Sequence, residues 1–230
     1  MHKIIRPEAG PTQARHGAQL APALRFVYLN HMHSFQRCAE PGCRALCFQG
    51  SNTCLAHHSS PAQAQASAQA LLLGEKGAKD ISAAGIRLEG IDLSGRKYIG
   101  CSFIGASFKN ILFTGSTFLL CFFDRAKIEA CDFSNVNAEF GSFGSCEINN
   151  VSFENSELMH CNFNGATIRE TTFSGSNLYD SRFISGTIQR SDFENCDLKR
   201  VYFIPATQAD ISFKGSNTME AIKDLEHLYL

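Results

Sequence analysis

Three cysteines and a histidine near the start of the chain have the types and the spacing to hold a metal ion. In RCAEPGCRALCFQGSNTCLAHH, four residues separate Cys38 from Cys43, ten separate Cys43 from Cys54, and two separate Cys54 from His57. Thiolate and imidazole are the ligands zinc favours, and three sulfurs with one nitrogen fill its tetrahedral shell. Pro41-Gly42 lies between the first two thiols, a turn-forming pair of the kind a metal loop requires. Cys47 and His58 lie in the same stretch. They are spare ligands, so spacing alone leaves the set open. Four protein ligands close the shell and no carboxylate base stands in the motif, so the chemistry implied is structural rather than catalytic. The competing reading is a group of surface cysteines with no metal.

The rest of the chain offers little chemistry. There is no G-x-S-x-G and no glycine-rich phosphate loop, and beyond residue 58 the only histidines are His160 and His227. Catalysis needs a nucleophile, a base and an orienting group in one pocket, and no such set is visible. The expectation is a protein that is not an enzyme. A net charge of −1 announces no strongly charged partner. No run of 18 apolar residues predicts a membrane span, and the first residues, MHKIIRPEAGPTQARHG, lack the apolar stretch of a signal peptide. A cytoplasmic, reduced protein is expected.

What must position the metal motif is a repeat. From Leu88, every fifth residue is large and apolar: Leu93, Tyr98, Phe103, Phe108, Phe113, and so on to Phe203, with only Ala138 small. A compact residue stands two places before most of them, for example Cys101, Ala106, Ser116 and Cys121. Helices repeat every 3.6 residues and strands every 2, so neither gives a strict five. A coil that turns a corner every five residues does, and a period held this long means a repeat architecture. Six of the ten cysteines (Cys101, Cys121, Cys131, Cys146, Cys161, Cys196) fall on the compact position. There a thiol serves as a small hydrophobe.

The units CDFSN, VSFEN, CNFNG, TTFSG and SDFEN resemble the pentapeptide repeat family, over roughly Ile86 to Gly215. The resemblance implies an all-β solenoid, a right-handed quadrilateral β-helix with four pentapeptides per coil, whose central and compact residues point inward. Central sites from Leu88 to Phe203 then make about six coils, or a rod of roughly 29 Å at the spacing of neighbouring strands. Residues twenty apart share a face, so Phe123, Phe143, Phe163, Phe183 and Phe203 form one ladder and Phe113, Phe133, Phe153, Phe173 and Phe193 the opposite one. The metal motif likewise resembles a small zinc knuckle.

These signals divide the chain into an N-terminal segment, 1–58, with the zinc knuckle at 38–58, and an Ala/Gln-rich linker or capping helix, 59–85. The β-helix follows at 86–217, and then a C-terminal helix, 218–230. Ser60 and Pro61 read as a helix start, and Gly74 and Gly77 as its end. Met219, Ile222, Leu225 and Tyr229 have helical spacing, predicting a cap or a homodimer-forming helix.

Outward positions suggest where a partner sits. Two adjacent faces carry Ile104, Leu119, Leu120, Phe122, Phe140, Met159, Tyr179, Ile184, Tyr202 and Ile204, and the opposite two are mostly polar. An aromatic strip with few charges marks a protein interface, unless the apolar segment 24–35 covers it. The expected function is a protein-interaction scaffold presenting a rigid rod, a role that suits an accessory of a multiprotein assembly or secretion machine, of bacterial type. Family resemblance also implies an alternative, mimicry of duplex DNA toward DNA gyrase. Against it, Ile86 to Gly215 holds 15 acidic and 12 basic residues, where a duplex of that length carries about 17 negative charges. One face does collect Asp92, Asp132, Glu154, Asp192 and Glu194. A third reading, nucleic-acid contact by the knuckle, rests on Arg37, Arg44, His31 and His33.

Overall fold

The computed structural model describes residues 36–224. Its main body is a parallel β-solenoid, preceded by a Cys/His module and one helix, α1 (Pro61–Leu72). Twelve short strands follow. β1 (Gly77–Lys79), β3 (Lys97–Ile99) and β5 (Thr117–Leu119) pair on one face. The longest sheet has seven strands: β2 (Arg87–Glu89), β4 (Ser107–Lys109), β6 (Lys127–Glu129), β7 (Glu147–Asn149), β8 (Thr167–Arg169), β10 (Thr187–Asp192) and β12 (Thr207–Ser212). β9 (Arg182–Ile184) and β11 (Tyr202–Ile204) pair on a third face. Elsewhere single parallel bridges do the same work, such as Asp132↔Ser152↔Thr172.

Every pairing within the rod joins residues twenty apart, as in Ile148↔Ile168. With one central residue per five, that register puts four corners on each turn. The corner residue, two after the central one, has a left-handed backbone at nearly every corner, Pro205 excepted, for example Asn135 (φ 57°), Asn155 (53°) and Asn195 (53°). Asn and Gly tolerate this region best, so F-x-N and F-x-G follow from the turn.

Stacked rings fill the core. Phe123, Phe143, Phe163 and Phe183 lie 4.7–4.9 Å apart and within 6° of parallel, while Phe143 meets Phe153 edge-on at 5.7 Å and 84°. Both are favoured aromatic geometries. The compact inward residue does more than save space. Its hydroxyl or thiol donates to the carbonyl of the central residue 23 positions earlier: Ser156 to Phe133 at 2.9 Å, Cys146 to Phe123 at 2.9 Å, and Cys161 to Ala138 at 2.8 Å. Ser and Cys therefore suit this site for their donor as well as their size.

The structure corrects the expected extent. The solenoid has about seven turns rather than about six. It begins with β1, where Ala78 and then Ala83 occupy central sites, too small to register as an apolar period. It runs past Phe213, which stacks on Phe193 at 5.6 Å. The expected C-terminal helix is not formed over 218–224. Thr218–Glu220 make a single tight turn, and Ile222 then pairs with Tyr202, accepting from Phe203 and donating to Val201. A free ladder edge takes the chain before a lone amphipathic turn can. Leu225 and Tyr229 lie outside the described residues, as do segment 24–35, His31 and His33.

Helix α1 starts at Pro61 as expected, but the Ser60 side chain makes no capping bond. Ala68 and Leu72 are buried with the core, and the Tyr98 hydroxyl donates to the Leu72 carbonyl at 3.1 Å. The helix thus closes the first coil, which would otherwise expose core and unpaired backbone.

Candidate metal centre and interaction surface

Two turns bring the metal motif together. Glu40 to Cys43 form a β-turn closed by the Cys43 N–H on the Glu40 carbonyl at 3.0 Å, with Gly42 at φ 80°. Pro at the second position and Gly at the third are what a type II turn demands. Flanking it, Arg37 and Leu46 pair as antiparallel strands, with Cys38 donating to Ala45 at 2.9 Å. The second turn is the single helical turn Leu55–His57, which starts at Cys54.

The sulfurs of Cys38, Cys43 and Cys54 and a ring nitrogen of His57 all lie within 4.8 Å of one another. Cys43 Sγ and Cys54 Sγ are 3.9 Å apart, and His57 Nδ1 stands 3.5 Å from both Cys38 Sγ and Cys54 Sγ. A tetrahedral ion with Zn–S of about 2.3 Å and Zn–N of about 2.05 Å needs ligand separations of about 3.8 and 3.6 Å. The observed distances fit that shell and are far from the roughly 2.05 Å of a disulfide. The spare ligands are engaged elsewhere: Cys47 Sγ donates to the Arg37 carbonyl at 3.3 Å, and His58 Nδ1 accepts from the Ser60 N–H at 3.0 Å.

The environment favours thiolate at one ligand. Burial raises the Cys38 thiol, but backbone bonds from Cys54 and Glu40 and the side chains of His57 and Cys54 outweigh it and bring Cys38 to about 6. Cys43 moves the other way. A backbone bond from Ala45 lowers it, and burial with the neighbouring thiols Cys38 and Cys54 pushes it above the ordinary value. Thiolates this close repel, and a cation among them removes the conflict.

The module is joined to the rod. Phe48 is buried in the core cluster. Gln49 N–H donates to the Ser82 carbonyl at 2.9 Å, and Ser82 Oγ donates to the Cys47 carbonyl at 2.7 Å.

Outside, the expected apolar strip is assembled only in part. Leu119, Leu120, Phe140, Met159 and Tyr179 lie on adjoining turns. Ile184, Tyr202 and Ile204 form a second patch, joined by the Ile184↔Ile204 pairing. Asp124, Ser142, Asn162 and Asn164, linked by their own hydrogen bonds, break the surface between them. Arg200 lies over the Tyr179 ring at 5.8 Å and Arg182 over Tyr202 at 5.6 Å. Phe122 is half-buried, and Ile104 lines a different cleft beside the metal module. At the corner, Phe140 is 47% exposed and holds φ 58°, a region bulky residues avoid. Its ring lies flat on His160 at 4.8 Å and 7°, and His160 meets Tyr179 edge-on. His160 Nδ1 is 3.2 Å from Asp180. Asp132, Glu154, Asp192 and Glu194 line one groove with Glu170 and Arg190. Asp132 accepts from Thr114 at 2.9 Å and from Ser134, Glu194 accepts from Ser212 at 2.6 Å, and Arg190 pairs with Glu170 at 2.7 Å.

Residues 146–222 match a family model described as a pentapeptide repeat region. The solenoid is a pentapeptide repeat structure. Its register runs unbroken from the matched turns back to β1, so the pentapeptide rod extends well beyond that segment. No curated protein matches the sequence. Solved structures similar to the chain include QnrB1, described as a plasmid-mediated fluoroquinolone resistance protein: 20% identity, TM-score 0.34, over 61% of this chain and 70% of that one. Another is Rfr23, a pentapeptide repeat protein from the cyanobacterium Cyanothece 51142: 13% identity, TM-score 0.32, over 69% and 99%. A third is AT2G44920, a pentapeptide repeat protein of the Arabidopsis thaliana thylakoid lumen: 20% identity, TM-score 0.28, over 40% and 63%. Among the described residues of the pentapeptide rod and its cap, no helix is long and apolar enough to cross a membrane.

Proposed function

We propose that this protein is a non-enzymatic interaction scaffold, a rigid pentapeptide rod whose N-terminal end is closed by a zinc-stapled module. The interior of the rod is filled by stacked rings, so the outer faces are what it can offer a partner. The observation that carries the reading is Phe140. A bulky aromatic residue kept 47% exposed in a left-handed corner, a conformation that Asn and Gly accept best, costs on the order of 1 kcal/mol. With Leu120, Met159 and Tyr179 beside it, it forms an aromatic patch suited to a protein surface. A role as accessory in a multiprotein assembly fits a part that binds without turning over. Zinc is the metal the Cys3His shell fits, and its role is structural, because four protein ligands close the coordination sphere. The unpaired core thiols suit a reducing compartment such as the cytoplasm.

The acidic groove supports the alternative, duplex mimicry, less well. Of its carboxylates, Asp132 and Glu194 are engaged by the rod's own hydroxyls and Glu170 by Arg190, and they are few beside the charge of a duplex. Affinity capture with wild type, Phe140→Asn/Met159→Asp and Asp132→Asn/Asp192→Asn separates the two. A protein held by wild type and the acidic-groove variant, but lost with the aromatic-patch variant, supports the scaffold reading. Loss only with the acidic-groove variant overturns it.

A further inference from the structure

A cleft of about 840 Å³ lies where the metal module, the start of α1 and the first turns of the rod meet. Its apolar walls come from Leu46, Leu55 and Ile104, and Arg44, Arg87 and Arg125 reach it from three separate segments. No acidic residue lines it. We propose that this cleft binds a small amphiphilic anion, a phosphate or carboxylate carried on an apolar chain.

The charges set this place apart from the rest of the rod. Elsewhere, most ion pairs run between residues twenty apart on neighbouring turns: Lys109–Glu129, Lys127–Glu147, Arg190–Glu170 and Arg200–Asp180. At the cleft the same offset gives Arg87 the hydroxyl of Ser107, and Arg125 only Gly105 and Ser145. Among the described residues, none of the three guanidiniums has an ion-pair partner. Three unmatched cations from independent segments would repel one another, and an anion resolves that. Guanidinium is also the side chain best shaped to grip carboxylate and phosphate. Ala62, in the first turn of α1, lines the same cleft, and that helix end has no side-chain cap. Its free N–H groups add to the positive field.

The walls specify the remainder of the ligand. An open cleft of this size, mostly apolar with a few convergent charges, has the make-up of small-ligand sites. Occupancy by this chain's own first 35 residues is disfavoured by charge, since they hold Lys3, Arg6, Arg15 and Arg25 against Glu8 alone.

The test is calorimetric titration of the full, zinc-loaded chain with decyl phosphate, decanoate and decyltrimethylammonium, each below its micelle concentration. Uptake of either anion at one site, with no uptake of the cation, is expected, and the two anions distinguish phosphate from carboxylate as the preferred head. Arg87→Gln and Arg125→Gln, both exposed, should each weaken binding about tenfold, while Arg169→Gln, on the same sheet but away from the cleft, should not. Binding that persists in the Arg87→Gln/Arg125→Gln double variant, or equal uptake of the cation, would overturn the proposal. So would self-association that disappears with Arg87→Gln while dilute protein takes up neither anion, which would place a carboxylate-bearing segment of a second copy in the cleft. Because these readouts involve neither Phe140 nor a protein partner, failure here leaves the scaffold reading standing.

Discussion

Tyr98 donates its hydroxyl hydrogen to the carbonyl oxygen of Leu72, 3.1 Å away, joining the second coil of the rod to the last turn of its capping helix. Both residues are almost wholly buried, and burial pushes the Tyr98 hydroxyl far above the usual tyrosine range. The bond supplies one of the carbonyl partners that a helix end lacks. Tyr98→Phe keeps the ring, which stacks on Phe118 at 5.1 Å, but strands a buried acceptor. The expected loss is about 1–3 kcal/mol, read as a shift of the urea midpoint with faster hydrogen exchange in α1. An unchanged midpoint would show that the Leu72 carbonyl is satisfied in some other way.

The metal centre makes a sharper statement. Elemental analysis should find one zinc per chain, retained in Cys47→Ser and lost in Cys38→Ser, because the Cys47 thiol points to the Arg37 carbonyl rather than into the group. Chelation should free residues 36–58 to protease while the rod keeps its β-sheet circular dichroism, since each coil is supported mainly by the next. Loss of the entire β signal would mean that the cap nucleates the rod.

How much of this was legible follows from side-chain size and periodicity. That Phe123 and Phe133 face inward could be read from spacing alone, whereas their ladders also needed the four units per coil that the family resemblance implies. The grouping of Cys38, Cys43, Cys54 and His57 was legible too, but excluding Cys47 and His58 was not. That depends on which way each side chain points after the turn at Gly42 and the turn at Leu55. The first coil was hidden because Ala78 and Ala83 are small. The end was misread because Met219 and Ile222 carry a helical spacing that a free strand edge overrode. The arginine cleft could not be seen at all, since Arg44, Arg87 and Arg125 converge only when the module folds onto the rod.

Phe140 should be costly to the fold. At φ 58° a non-glycine residue forgoes about 1–2 kcal/mol, and an exposed stack on His160 returns about half to one. Phe140→Asn, a residue that accepts this conformation, should leave the rod as stable as wild type or slightly more so. Thermal denaturation checks it, and a loss above about 1 kcal/mol would show that the stack outweighs the strain.

Gly186 is small for a different reason. A Cβ there would stand 2.5 Å from the Ala166 carbonyl and 3.2 Å from its N–H, both backbone atoms that cannot step aside. Gly186→Ala should cost about 1–3 kcal/mol by overpacking. Gly95→Asn is the contrast: Gly95 has φ 66° and nothing within 4 Å, so Asn should be accepted within about 0.5 kcal/mol. Equal behaviour of the two variants in urea would contradict the close approach of Gly186 to the Ala166 backbone.

The core thiols give the pH dependence. Burial lifts Cys131 and Cys196 to about 11 and Cys146 and Cys161 to about 12. Below the unfolded thiol value, near 8.5, these groups are protonated in both states and stability is flat. Above it the unfolded chain releases protons that the folded chain holds, so the unfolded state gains and stability falls with rising pH, by at most about 1.4 kcal/mol per thiol per unit. The fall should continue until the folded values near 11 to 12 are passed. Urea midpoints at pH 8, 9 and 10 should therefore decline, and Cys146→Ser/Cys161→Ser should decline less steeply. Because thiolate is the reactive form, a thiol reagent at pH 8 should leave Cys131, Cys146, Cys161 and Cys196 unlabelled in the native protein and reach them only in denaturant. Labelling of Cys146 or Cys161 in the folded state would mean that the rod opens far more often than its stacked core allows.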